Sequence, residues 1–194
     1  GVNVVCLGLS TTPTVEIAVP IENADAGIII TASHNPKNWN ALKLLNNRGE
    51  FINAADGENL LKIANSKPLF NINNPKGEVT FKDNYIDIHT DMILDLPLVD
   101  IDLIRSKNFK VVVDSVNSTG GIAVPNLLNK LGVGVIKLYC EPNGDFPHNP
   151  EPLKENLIDL SNMVTKEQAD FGIVVDPDVD RLAFVSENGE VFGE

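Results

Sequence analysis

Phe109-Lys110-Val111-Val112-Val113-Asp114 reads as a buried strand, and the fold of the second half can be worked out from it. Ser118-Thr119-Gly120-Gly121 supplies a turn after it, Val124 to Leu131 a helix that ends at Gly132, and Val135-Ile136-Lys137-Leu138-Tyr139 the next strand. Leu153 to Val164 adds another helix and Phe171-Gly172-Ile173-Val174-Val175 another strand. Strand, helix and strand at this spacing imply right-handed crossovers and a parallel sheet.

The last of those strands runs straight into Asp176-Pro177-Asp178-Val179-Asp180-Arg181, and Leu182 to Val185 reads as a further strand. Three negative charges concentrated in one loop are costly unless something positive binds there. A hard divalent cation with oxygen ligands is the natural partner, and the planar fork of Arg181 suits a phosphate oxygen. Two other readings compete. Asp176, Asp178 and Asp180 with Glu187, eleven residues after the first, approximate a calcium-loop register, but Arg181 stands where that loop requires glycine. The plainer alternative is a solvated acidic turn.

A second loop with chemical content lies in the first half. Gly27-Ile28-Ile29-Ile30 reads as a buried strand, followed by Thr31-Ala32-Ser33-His34-Asn35-Pro36. Ligands of open α/β sheets bind past strand ends, where this loop presents a hydroxyl, an imidazole and a carboxamide. The Ser33 hydroxyl can serve as a nucleophile or a phosphate carrier; the alternative is a polar turn satisfying its own backbone. Around it, residues 2–7 read as a strand, Gly8 to Thr14 as a loop and Thr14 to Val19 as the start of a helix after Pro13. Ala41 to Leu45, a turn at Asn46-Asn47-Arg48-Gly49 and Glu50-Phe51-Ile52 read as a hairpin. Asp56 to Asn65 is helical, residues 66–80 read as surface loop, and Tyr85 to Leu94 is helical with His89 expected at its surface. Pro97 and the acidic stretch near Asp100 and Asp102 mark a boundary, giving domains 1–97 and 98–194.

Composition narrows the classes. Of 194 residues, 43% are hydrophobic and 22% charged, as in folded soluble proteins. A net charge of -12 repels nucleic acid. No apolar run is long enough to span a membrane, no signal-peptide pattern stands at Gly1, and the start reads as truncated. Cys6 and Cys140 sit in apolar, strand-like contexts and read as free core thiols, which suits a reducing cytoplasm.

Taken together, the two loops resemble the α-D-phosphohexomutase family (phosphoglucomutase, phosphomannomutase, phosphoglucosamine mutase). Thr31 to Pro36 matches its phosphoserine loop and Asp176 to Arg181 its metal loop, about 140 residues apart. Phe146-Pro147-His148-Asn149-Pro150-Glu151-Pro152 looks like its second-domain Pro-Glu-Pro segment, and Thr11-Thr12-Pro13-Thr14 like the segment before the serine loop. Two positions depart from the pattern: Pro177 and Ala41 stand where the family usually has glycine. The resemblance implies two similar α/β domains with mixed, largely parallel sheets flanked by helices. It implies a chain holding the end of the first and most of the second of four domains, so a fragment whose partners include the missing domains of the same enzyme. The activity implied is intramolecular phosphoryl transfer between O1 and O6 of a hexose phosphate, through phospho-Ser33 and a sugar bisphosphate. The implied cofactor is Mg²⁺, with Ser33, Asp176, Asp178 and Asp180 as metal ligands. Arg181 would bind phosphate, and Lys43 and His34 would join Ser33 in catalysis. Lys43 falls at the family's active-site lysine, and His148 and Glu151 would shape an interdomain loop. Phosphoserine carries about -1.5 to -2 charge, so its approach to three aspartates calls for a cation. The alternatives are a Mg²⁺-dependent phosphatase and a non-catalytic metal-binding module; the 194 residues alone are expected to turn over negligibly. The sugar, whether glucose, mannose or glucosamine, is set by a loop of the third domain.

Overall fold

The computed structural model describes residues 1–35, 38–69 and 75–192. Pro36, which closes the serine motif, and residues 70–74 of the expected surface loop lie outside the described residues.

The first half runs β1 (Val4–Cys6), α1 (Thr12–Ile21), β2 (Gly27–Thr31), β3 (Ala41–Leu45), α2 (Ala54–Asn65), β4 (Val79–Phe81) and α3 (Tyr85–Leu94). Helix α1 starts two residues before the expected Thr14, because Thr11 caps it: its hydroxyl accepts from the Thr14 N–H, and Pro13 presets φ in the first turn. Asn53 caps α2 in the same way, accepting from the Asp56 N–H at 2.9 Å. Strand β2 is not the fully buried strand expected. Ile29 packs with Val19 of α1 and Leu45 of β3, while Ile28 and Ile30 point to the open face. The expected hairpin forms as a short ladder, with the Asn46 N–H donating to the Glu50 carbonyl at 2.8 Å and the Ile52 N–H to the Leu44 carbonyl at 3.1 Å. β3 pairs antiparallel with β2, and the return segment contributes a single bridge, Leu45 to Phe51. Val79 and Thr80, expected in loop, open β4, which pairs parallel with β1.

The second half runs α4 (Ile101–Ser106), β5 (Lys110–Asp114), α5 (Gly120–Lys130), β6 (Gly134–Leu138), a 3₁₀ turn (Lys154–Asn156), α6 (Ile158–Glu167), β7 (Phe171–Val175), β8 (Leu182–Ser186) and β9 (Val191–Phe192). Helix α4 occupies the acidic stretch taken as a boundary. Asp100 caps it by accepting from the Leu103 N–H at 2.9 Å. The helix expected over Leu153 to Val164 breaks at Leu157, whose side chain is fully buried.

These strands form one five-stranded sheet in the order β6-β5-β7-β8-β9. β6, β5 and β7 are parallel, as their strand-helix-strand spacing implies, and β8 and β9 are antiparallel, which gives the expected mixed sheet. Six residues, Asp176 to Arg181, join β7 to β8. A parallel return would need a crossover of a dozen or more. Period-two alternation splits β5 between two cores. Val112 packs with Leu160 and Val164 of α6; Val111 and Val113 pack with Leu128, Leu131 and Val133, backed by Leu94, Val99, Ile101 and Ile104. At Gly172 a Cβ would meet Val164 and Leu160 within 2.9 Å, so α6 lies close on β7 because that residue has no side chain. Among the described residues no helix is long and apolar enough to cross a membrane. Cys6 and Cys140 are free and partly buried.

Candidate active site

The loop between β7 and β8 brings three carboxylates together. One oxygen each from Asp176, Asp178 and Asp180 lie within 4.8 Å of one another, with Asp176 and Asp178 buried. The backbone achieves this by strain at Val179, a β-branched residue at φ 63°. The positive φ falls at 179 rather than 177, so proline is accommodated where the family resemblance led one to expect glycine. Ala41 is likewise a strand residue without positive φ. Asp176 Oδ1 accepts from the backbone N–H groups of Asp180 and Arg181, both at 3.1 Å, which closes the loop on itself. From outside, the hydroxyls of Ser118 and Thr119 at the start of α5 donate to the Pro177 carbonyl at 2.5 and 2.9 Å.

The first half meets this loop at three points. Ser33 Oγ donates to Asp176 Oδ2 at 3.1 Å. Ser33 itself sits at φ 49°, its N–H held by Thr31 Oγ1 at 2.9 Å. Lys43, on β3, donates to Asp178 Oδ2 at 2.6 Å and Asp180 Oδ2 at 2.5 Å. Thr12, at the start of α1, donates its N–H to the Asp178 carbonyl at 2.8 Å and its hydroxyl to Asp178 Oδ2. His34 Nδ1 lies 3.4 Å from Ser33 Oγ. Ser33, His34, Lys43 and the three aspartates are therefore brought together. Arg181 shares the loop, but its guanidinium turns to Glu151 at 3.4 Å. His148 stays within the second half, with Nε2 2.9 Å from Asp114 and Nδ1 2.7 Å from the Asn149 carbonyl.

Charge is unbalanced in this cluster. Burial, together with the charges of Asp178 and Asp180, pushes the Asp176 carboxyl up to about 7. Burial also works against Asp178, but hydrogen bonds from Lys43 and Thr12 hold it below the usual carboxylate range. Burial would lower Lys43, yet its bonds to Asp178 and Asp180 outweigh this and keep it an ammonium. Among the described residues Lys43 is the cation bonded to these carboxylates, and it reaches Asp178 and Asp180. Asp178 Oδ1 is buried with no hydrogen-bond partner among the described residues. An orphaned acceptor inside a ring of hard oxygens is what a small divalent cation requires, so the donor set fits Mg²⁺.

Thr12, Ser118, Thr119 and Glu16 were not singled out from the sequence as site residues. Glu16 stands within electrostatic reach of Lys43 and Asp180, and burial raises its carboxyl. Only the segment Thr11 to Thr14 carried any signal, through resemblance. The Thr12–Asp178 contact spans 166 residues and leaves no local trace.

Residues 1–69 match the family profile "Phosphoglucomutase/phosphomannomutase, alpha/beta/alpha domain I", and residues 84–189 match domain II of the same family. A probable phosphoglucosamine mutase of Methanopyrus kandleri is 36% identical over 194 residues, which is 100% of this chain and 42% of that protein. A phosphoglucomutase/phosphomannomutase of Thermococcus kodakarensis is 36% identical over 191 residues, 97% of this chain and 41% of that protein. Among solved structures, a phosphoglucomutase/phosphomannomutase family protein of Burkholderia thailandensis superposes with a TM-score of 0.81 at 28% identity, over 98% of this chain and 42% of its own. A putative phosphomannomutase of Thermus thermophilus gives 0.84 at 23% identity, over 99% and 44%, which speaks to the fold. The chain thus spans about two fifths of the length of the curated relatives it matches. With both profiles matched in order, the chain belongs to the phosphoglucomutase/phosphomannomutase family.

Proposed function

We propose that the protein carrying this chain is a phosphohexomutase, an isomerase that moves a phosphoryl group between O1 and O6 of a hexose phosphate. One observation carries the reading: a loop serine of one half is hydrogen-bonded to a buried three-carboxylate cluster of the other. In this reading Ser33 Oγ carries the phosphoryl group and gives it to a hydroxyl of the sugar monophosphate. The resulting bisphosphate turns over, and its other phosphoryl group returns to Ser33. Asp176, Asp178 and Asp180 would hold Mg²⁺, which when bound would supply charge neutralisation for the phosphoryl group. Ser33, whose Oγ lies 3.1 Å from Asp176 Oδ2, would stand beside that ion as a further oxygen ligand. Lys43 and Arg181 offset the remaining phosphate charge. Held as an ammonium by Asp178 and Asp180, Lys43 supplies a fixed positive charge beside the transferring group, and proton transfer at the sugar oxygen would require its pKa to fall once substrate and metal draw those carboxylates away. His34, beside Ser33 Oγ, orients the hydroxyl.

The reading extends to the rest of the protein. Residues 1–97 would belong to the serine-bearing domain and 98–194 to the metal-binding domain. Segments outside this chain would choose the sugar, and the 194 residues alone would turn over negligibly. Free thiols suit a cytoplasmic setting.

The test is intact-mass analysis of the full-length protein after incubation with Mg²⁺ and glucose 1,6-bisphosphate. The expected result is a stable gain of about 80 Da on Ser33, lost together with mutase turnover in Ser33→Ala. A label on an aspartate, with release of inorganic phosphate, would replace the mutase reading with a phosphatase.

A further inference from the structure

Helix α3 stands apart from the acidic loop, yet it touches two elements that hold the loop. His89 on α3 is half-buried, and its Nδ1 lies 2.9 Å from Thr14 Oγ1. Thr14 Oγ1 in turn lies 2.7 Å from Thr11 Oγ1, and the Thr14 N–H donates to that same oxygen. Thr11, Thr12 and Thr14 are all buried, so each hydroxyl needs a partner inside the protein. The one Thr14 did not find within its own turn is the imidazole. Both proton arrangements are self-consistent. Either Thr11 donates to Thr14 and Thr14 to Nδ1, or Nδ1–H donates to Thr14 and Thr14 to Thr11. Burial keeps His89 below its usual pKa, so the neutral ring can take either role.

The same turn of α1 carries Thr12, whose N–H and hydroxyl both end on Asp178. The opposite side of α3 is tied to α5: Asn126 Nδ2 donates to Asp87 at 2.9 Å, and Lys130 Nζ to Asp91 at 2.6 Å. Just before α5, Ser118 and Thr119 grip the Pro177 carbonyl. The acidic loop is therefore held from two sides, and α3 is the strut between the two holders.

We infer that His89 is a positioning residue for the metal loop: by anchoring Thr14 it fixes the first turn of α1, and through Thr12 it fixes the Asp178 carboxylate. The inference rests on the proposed metal site for its consequence, but the linkage is a property of the protein without metal. Residues that orient metal ligands typically change affinity by about tenfold or more when lost. A holder two contacts removed should matter somewhat less.

The experiment uses the full-length protein with His89→Leu, which keeps bulk and removes the ring nitrogen, and His89→Asn, which keeps a polar atom near the Nδ1 position. Amide hydrogen exchange is read by mass spectrometry on peptides covering residues 11–15 with chelator present, and Mg²⁺ binding by calorimetry with the metal alone. In His89→Leu, exchange at 11–15 should accelerate by about tenfold while β5 and β7 stay protected, and Mg²⁺ affinity should fall by about threefold to fivefold. His89→Asn should recover most of both. Thr14→Val should reproduce the effect, and combining it with His89→Leu should add little, because the two act through one link. Unchanged exchange at 11–15 in His89→Leu would overturn the inference. Uniform acceleration across the whole chain would overturn it too, since His89 would then be a general packing residue. If the parent protein binds no Mg²⁺, the metal reading falls, while the exchange result still decides the linkage.

Discussion

In β5 the side chains of Val111, Val112 and Val113 are all removed from solvent. In β2 only Ile29 is, and Ile28 and Ile30 stand 61% and 71% exposed. β2 leads into the serine loop, and β5 lies beside β7, which leads into the acidic loop, yet their supports differ. β5 and its neighbour β7 are inner strands of a five-stranded sheet, covered by α6 on one face and by α5 with residues of α3 and α4 on the other. β2 has one partner, β3, and one packed face, under α1. A two-stranded ladder is marginal by itself. The acidic loop is thus preorganised by its own half, with a strained Val179 that only a rigid surround can maintain. The serine loop reaches across to that half through Ser33, and its neighbours β3 and α1 do so through Lys43 and Thr12.

The largest expected effect separates these supports directly. Leu160→Ala, in the fully buried cluster under β7, should cost about 2–5 kcal/mol in chemical denaturation. Leu61→Ala, on the α2 surface where no residue is buried, should stay within about 0.5 kcal/mol. Equal costs would erase the contrast.

The second effect concerns pH. The Asp176 carboxyl is raised from 3.8 to about 7 on folding, so the folded state binds more protons than the unfolded state between those values. Stability of the metal-free protein should fall as pH rises through that window, and be insensitive to this group below it. Saturating Mg²⁺ should flatten the slope, because the cation replaces the proton. Thermal melts across pH 4–8, with and without Mg²⁺, check this; a slope indifferent to Mg²⁺ would mean that the carboxylates do not share an ion.

Asp178→Asn removes the orphaned oxygen's charge and should weaken Mg²⁺ binding on the order of tenfold by calorimetry. The smallest effect is Asn53→Ala. Losing the α2 cap should cost about 1 kcal/mol, read as faster exchange confined to α2 with the acidic loop unaffected. Spread of that change into 176–181 would show the two halves to be more tightly coupled than their packing indicates.

Two stretches of the candidate site were legible as candidates because each loop carries its polar groups in close succession after an apolar run, whereas Thr12, Ser118, Thr119 and Glu16 were not. Ser33 and the aspartates at 176, 178 and 180 needed no structure to be noticed. The helices α1, α2, α3 and α5 were legible from apolar spacing, with Pro13 and Gly132 as boundary signals, though the capping residues Thr11 and Asn53 were not read. The errors fell where pairing partners had to be chosen. β3 does bridge to 50–52, but its full-length partner is β2, selected by the packing of Ile29 and Leu45 against Val19. His89 looked like a surface residue because its partner, Thr14, is 75 residues away.

Periodicity, capping residues and the content of two strand-end loops were therefore set by the sequence, since each depends on neighbours within a few positions. The tertiary structure decided the direction of β8, the burial of His89, the joining of Thr12 to Asp178 and the meeting of Ser33 with Asp176. Those depend on which distant groups can be buried together with their hydrogen bonds satisfied. That energy belongs to the assembled chain and leaves no mark on any single stretch of it.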